Sequence, residues 1–142
     1  MALAKFITNM IAARDQNPVV TPHTSVLLVE DEAISRRALS VLLRSSGYQP
    51  IPVRSAEEAI ALIRSGKFPQ LAVVDLDLPG INGIQLIQWL AGLEPAVPAI
   101  LISASNGEAL RRLSDRAHVP YFPKPLNINN LLNFLAREEA SA

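Results

Sequence analysis

No cysteine occurs in this 142-residue chain, which excludes a disulfide framework, thiolate metal sites and cysteine catalysis, and fits a reducing compartment. Net charge is lacking as well. Thirteen basic residues balance thirteen acidic ones, so no electrostatic footprint argues for direct nucleic-acid binding or for an anionic membrane. No apolar run approaches the length of a bilayer span, and the N-terminus lacks the basic start, apolar centre and small-residue cleavage site of a secretion signal. A cytoplasmic location is the expectation. Internal repeats and low-complexity tracts are also missing. What is there is a 49% hydrophobic chain, long enough for one domain with a real core.

From Ser25 onward, apolar β-type runs alternate with helical patterns. "SVLLVE" reads as a strand, and "EAISRRALSVLLRSSG" as a helix with apolar Ile34, Ala38, Val41 and Leu42 at helical spacing and a stop at Gly47. "YQPIPV" makes a poor strand because Pro50 and Pro52 cannot donate to a ladder, so it belongs at a sheet edge. "SAEEAIALIRSG" carries a capping box from Ser55 to Glu58 and ends at Gly66. "LAVVD" has no polar alternation and reads as a strand buried on both faces. "GIQLIQWLAGL" is a helix, "PAILIS" a strand, "GEALRRLSDRA" a helix, "HVPYF" a short strand and "NINNLLNFLAREE" the last helix. Five strand–helix units in strict alternation call for a parallel sheet with helices on both faces.

In a doubly wound sheet, ligands bind outside the carboxyl ends of the strands. The polar residues there are Glu30, Asp31 and Glu32 after the first strand, Asp75 after the third, Ser103 after the fourth and Lys124 after the fifth. Each has a plainer reading. The acidic triplet fits a helix N-cap, Asp75 and Asp77 fit turn formers before Pro79-Gly80, Ser103 fits an N-cap, Tyr121 fits the core and Lys124 fits a loop charge. Trp89 and the Leu/Ile stripe of its helix read as packing, and His23 and His118 are isolated, neither a ligand nor a phospho-donor.

Taken in order and spacing, "LLVEDE", "VVDLDLPGING", "LISAS" and "YFPKPL" resemble the acidic pair, phospho-acceptor loop, hydroxyl switch and aromatic–lysine–proline run of the receiver domain of two-component response regulators. The resemblance spans about Ser25 to Arg137. It implies a flavodoxin-like α/β fold: a doubly wound, five-stranded parallel sheet of order 2-1-3-4-5 with five helices, its proline-bearing second strand at an edge. It also implies a division into residues 1–24 as an N-terminal segment, 25–138 as receiver and 139–142 as tail.

By the same resemblance, Asp75 accepts a phosphoryl group as an aspartyl phosphate. Mg²⁺ is the cofactor, held by Asp31 and Asp75 directly, by Glu30 through water and by the backbone carbonyl of Asp77. Lys124 pairs with Asp75 at rest and with the phosphoryl oxygens afterwards. Ser103 donates its hydroxyl to that group, and its movement lets Tyr121 turn inward and alter the surface of the fourth helix, fifth strand and fifth helix. The bond before Pro125 is expected to be cis. The implied partners are a sensor histidine kinase or histidine phosphotransfer protein and a downstream protein, with no direct nucleic acid and no membrane. Activity would be confined to self-phosphorylation and self-dephosphorylation.

Asp77 and Leu78 depart from the common pattern, which has a small or amide residue and a methionine there, and this bears on phosphoryl lifetime. "VVDLDLP" also resembles the nucleophile motif of haloacid-dehalogenase-type phosphatases, but that family carries it on the first strand rather than the third. A third reading is a receiver-like adaptor that works without phosphorylation. No output domain follows Arg137 in this sequence, so signalling through protein contacts, or membership in a larger protein, is expected. Before Ser25, residues Leu3, Phe6, Ile7, Met10 and Ile11 fall on one face of a short amphipathic helix. Such a helix must dock to persist, and a contribution to a homodimer is the expectation.

Overall fold

The structure, a computed structural model, describes residues 24–104 and 108–141. The expected amphipathic helix and its homodimer contact lie outside the described residues. Within them the chain alternates strictly: β1 (Ser25–Val29), α1 (Ala33–Ser45), β2 (Gln49–Val53), α2 (Ala56–Arg64), β3 (Leu71–Asp75), α3 (Gly83–Ala91), β4 (Ala99–Ser103), α4 (Glu108–Ala117), β5 (Tyr121–Pro123) and α5 (Ile128–Ser141). The strands form one sheet in the order β2-β1-β3-β4-β5, and every pairing is parallel. This is the doubly wound parallel sheet that the alternation called for, in the flavodoxin-like order that the resemblance implied.

The pleat divides the sheet's side chains between two cores. Leu27, Val29, Ala72, Val74 and Leu101 join one cluster with Ala59 and Ile63 of α2 and Leu86 and Leu90 of α3. Val26, Leu28, Leu71, Val73, Ile100 and Ile102 join the other with Leu39 and Leu43 of α1 and Leu131 and Leu135 of α5. Covered on both faces, β1 and β3 have no room for polar alternation, which is why they read as continuous apolar runs. Trp89 is half-buried and packs against the first cluster. β2 lies at the edge beside β1 alone, where Pro50 and Pro52 leave no partner strand short of a donor.

Four local expectations are corrected. Of the expected stripe, Ile34, Ala38 and Val41 face outward, with Ile34 79% and Val41 54% exposed, while Leu42 is half-buried. Leu39 and Leu43, one turn apart, face the sheet instead and fill the space beside Tyr48. The fifth strand starts at Tyr121 rather than His118. His118, in a left-handed conformation (φ 53°), closes α4 by donating its N–H to the Asp115 carbonyl, and Val119 donates to that of Ser114. The last helix runs through Ser141, two residues past Glu139 where its pattern was expected to end, and Glu139 accepts a 2.6 Å hydrogen bond from Thr24. At α2, Ser55 Oγ accepts from Glu58 N–H at 3.1 Å, but the Glu58 carboxylate accepts from Arg54 N–H rather than closing the box on Ser55. Among the described residues, no helix is long and apolar enough to cross a membrane.

Candidate functional site

Parallel strands end together, so the sheet's carboxyl edge gathers residues far apart in sequence. β1 delivers Glu30, whose N–H donates to the Val53 carbonyl at 3.1 Å as the ladder's last bond. β3 ends in Asp75, beside Ile102 of β4, and Ser103 follows. Ser103 in turn is in register with Pro123 of β5, and Lys124 N–H donates to the Ser103 carbonyl at 2.8 Å. The backbone ladder thus fixes where the carboxylates, the hydroxyl and the ammonium begin.

Glu30 (1% exposed), Asp75 (4%) and Ser103 (0%) are buried polar residues, a placement that is unfavourable unless each is paired. Lys124 pairs the two carboxylates, with Nζ 3.0 Å from Glu30 Oε2 and 3.2 Å from Asp75 Oδ2. The other Asp75 oxygen, Oδ1, accepts from Asp77 N–H at 3.0 Å. Burial, reinforced by the neighbouring Asp75 carboxyl and only partly offset by Lys124, pushes Glu30 up to about 7. Burial alone would lower the Lys124 ammonium, but its hydrogen bond to Glu30 and the charges of Asp75 and Glu30 outweigh it and hold the group above its ordinary value. The Lys124–Pro125 peptide bond is cis.

Asp31 is exposed beside this pair. Glu30, Asp31 and Asp75 each offer one carboxylate oxygen, and these lie within 4.8 Å of one another. Hard oxygen donors, two of them buried and carrying more negative charge than one lysine neutralises, fit a small divalent cation such as Mg²⁺. The Asp77 side chain is not in that group. Its Oδ2 instead accepts from Ser103 Oγ at 3.3 Å. Tyr121 is half-buried at the start of β5 and lines a cleft of about 360 Å³ with Arg111, Asp115 and Pro123. Burial holds its hydroxyl above the usual range; the Arg111 charge opposes that and the Asp77 charge adds to it.

Three supports escaped the sequence reading. Arg36, one turn into α1, reaches back with Nη1 to the carbonyls of Glu30 (3.1 Å) and Asp31 (3.3 Å), bracing the acidic turn. Asn82 and Gln85 form a reciprocal capping box at the start of α3, which the N-x-x-Q spacing could have revealed. Glu57 of α2 accepts the Ile81 N–H at 3.0 Å and so ties α2 to the acceptor loop; that bond holds its carboxyl below the ordinary range. They lie 24 positions apart, and nothing in the sequence links Glu57 to Ile81.

Comparison with known proteins agrees with this geometry. The family model for the response regulator receiver domain matches residues 26–136. The chain is 33% identical over 117 residues to the response regulator protein FleR of Pseudomonas aeruginosa, covering 79% of this chain but only 24% of FleR. It is 31% identical over 110 residues to the polar-differentiation response regulator DivK of Brucella ovis, covering 73% of this chain and 86% of DivK. The crystal structure of a response regulator receiver protein from Burkholderia phymatum superposes with a TM-score of 0.71 at 30% identity, covering 80% of this chain and 93% of that one. This chain belongs to the response regulator receiver domain family.

Proposed function

We propose that this receiver takes a phosphoryl group onto Asp75 from the phosphohistidine of a sensor kinase or phosphotransfer protein and relays the change to a protein partner. The observation that carries the reading is Asp75 itself: a buried carboxylate bridged by Lys124 to a second buried carboxylate, with a third within 4.8 Å. Such an arrangement has little structural merit, because a buried ion pair gains little over apolar packing. It has clear merit for phosphoryl transfer, which asks chiefly for positioning and charge neutralisation.

In the transfer, an Asp75 carboxylate oxygen forms the new bond to phosphorus while the phosphorus–nitrogen bond of the donor breaks, and the imidazole leaves with its electron pair. The Asp77 N–H on Oδ1 and Lys124 Nζ on Oδ2 hold the acceptor's plane. When bound by Glu30, Asp31, Asp75 and the Asp77 carbonyl, Mg²⁺ would supply the remaining neutralisation of phosphoryl charge. Lys124 follows the new negative charge, and Ser103 gives it a hydrogen bond. Ser103 is joined through its carbonyl to the strand that carries Tyr121, so a shift at Ser103 has a short route to the surface formed by α4, β5 and α5. That surface is the proposed partner-binding face.

The test is intact-mass measurement after incubation with acetyl phosphate and Mg²⁺. The wild type gains one phosphoryl group and Asp75→Asn gains none; an equal gain by both would remove Asp75 from its role.

A further inference from the structure

In this structure the Ser103 hydroxyl donates to Asp77 Oδ2 at 3.3 Å. Ser103 is fully buried whereas Asp77 is exposed, so the carboxylate reaches in from the rim to a hydroxyl that water does not reach. Its reach is set by the loop backbone. The Asp77 N–H is anchored on Asp75 Oδ1 at 3.0 Å, and the Leu78 N–H turns back onto the Leu76 carbonyl at 3.0 Å.

A hydroxyl has one hydrogen to give at a time. Asp77 is a charged acceptor, and hydrogen bonds to charged groups are about twice as strong as neutral ones. On the reading that Asp75 is the acceptor, a phosphoryl group there becomes a second anionic acceptor one strand away from Ser103. The two anions compete for the same hydrogen.

We propose that Asp77 is a resting-state latch: its carboxylate holds the Ser103 hydroxyl until the phosphoryl oxygens take it, so the residue at position 77 sets how readily the domain switches. This rests on the reading of Asp75 as acceptor and makes Asp77 a positioning residue that acts through Ser103. A latch differs from plain repulsion between the Asp77 carboxylate and the incoming anion. Repulsion operates whatever stands at position 103, whereas the latch needs the hydroxyl.

The experiment is a double-mutant cycle on the full chain with saturating Mg²⁺, reading bound beryllium trifluoride, a phosphoryl mimic, by ¹⁹F NMR. Asp77→Ala should tighten binding by about tenfold when Ser103 is present, the scale of one hydrogen bond to a charged group, and by no more than about twofold in the Ser103→Ala background. Asp77→Asn keeps the side chain's size and an oxygen acceptor without the charge, and should fall between wild type and Asp77→Ala. Equal gains in both backgrounds would reduce Asp77 to a repelling charge and overturn the latch. So would no gain in the Ser103 background. If none of the proteins binds the mimic, Asp75 is not the acceptor and the latch falls with it, an outcome distinct from binding by all with no coupling.

Discussion

Replacing Lys124 by Met should destabilise the domain in chelator and make Mg²⁺ a stronger stabiliser than it is for the wild type. The Lys124 side chain is 23% exposed, while those of Glu30 and Asp75 are 1% and 5% exposed. Removing the ammonium leaves two buried carboxylates without their shared partner, and breaking a buried ion pair by deleting one member costs about 3–5 kcal/mol. The low end applies, since Glu30 already stands near 7 through burial and escapes by taking up a proton. A loss of about 3 kcal/mol lowers Tm by roughly 12 °C for a domain of this size. The dependence on pH follows from the direction of the Glu30 shift. Its folded value lies above the ordinary 4.5, so the associated stability is fully present below that value and is lost as pH rises through about 7. Without Lys124 to lower it, that window moves upward, and the variant's deficit should widen between roughly pH 6 and 8. A dication on the same oxygens replaces the missing charge; at a hundredfold excess over its dissociation constant it contributes about 2.7 kcal/mol. Differential scanning calorimetry of both proteins, with EDTA and with Mg²⁺, reads all of this. An unchanged Tm in EDTA, or equal gains from Mg²⁺, would refute the reasoning.

Gly83→Ala should destabilise by about 2–3 kcal/mol as an overpacked site, because a Cβ there would lie 2.9 Å from Leu76 Cα and closer still to the Asp75 carbonyl oxygen; urea titration measures it, and a midpoint within error of wild type contradicts the packing. Leu43→Ala should cost about 2–5 kcal/mol while Ile34→Ala stays within about 0.5, since Leu43 is 1% and Ile34 79% exposed; equal losses would reverse the orientation of α1. Burial and the Glu139 carboxylate push the Tyr48 hydroxyl up to about 12. Its neutral form is therefore favoured by folding, that stability is present below about 10 and is lost as pH rises toward 12. Ultraviolet titration of phenolate should show a late step that Tyr48→Phe removes; a step that persists would belong to another group.

The fold was legible because its strongest signals are local and repeated. Continuous apolar strands, helix stops at Gly47 and Gly66, and two prolines in one strand lead to a parallel sheet with β2 at its edge without any long-range information. The face of α1 was not legible. Its sequence carries two apolar stripes, Ile34–Ala38–Val41 and Leu39–Leu43, and only the packing of Tyr48 and the strands selects the second. The start of β5 was missed because His118 and Val119 read as strand formers, whereas their N–H groups are used to close α4. At the site, Glu30, Asp75, Ser103 and Lys124 were visible as polar residues at predicted strand ends. The partners of Asp77 and Glu57 were not, because each lies more than twenty residues away, across a strand or helix boundary.

The claim that Asp75 carries the phosphoryl group is tested most directly by mapping the modified residue. Borohydride reduces an aspartyl phosphate to homoserine, and peptide mass spectrometry after treatment with acetyl phosphate and Mg²⁺ locates it. Homoserine at position 75, absent when Lys124 is replaced by Met or when Mg²⁺ is chelated, is the predicted result. Homoserine at Asp31 or Asp77, or its absence throughout, would contradict the account.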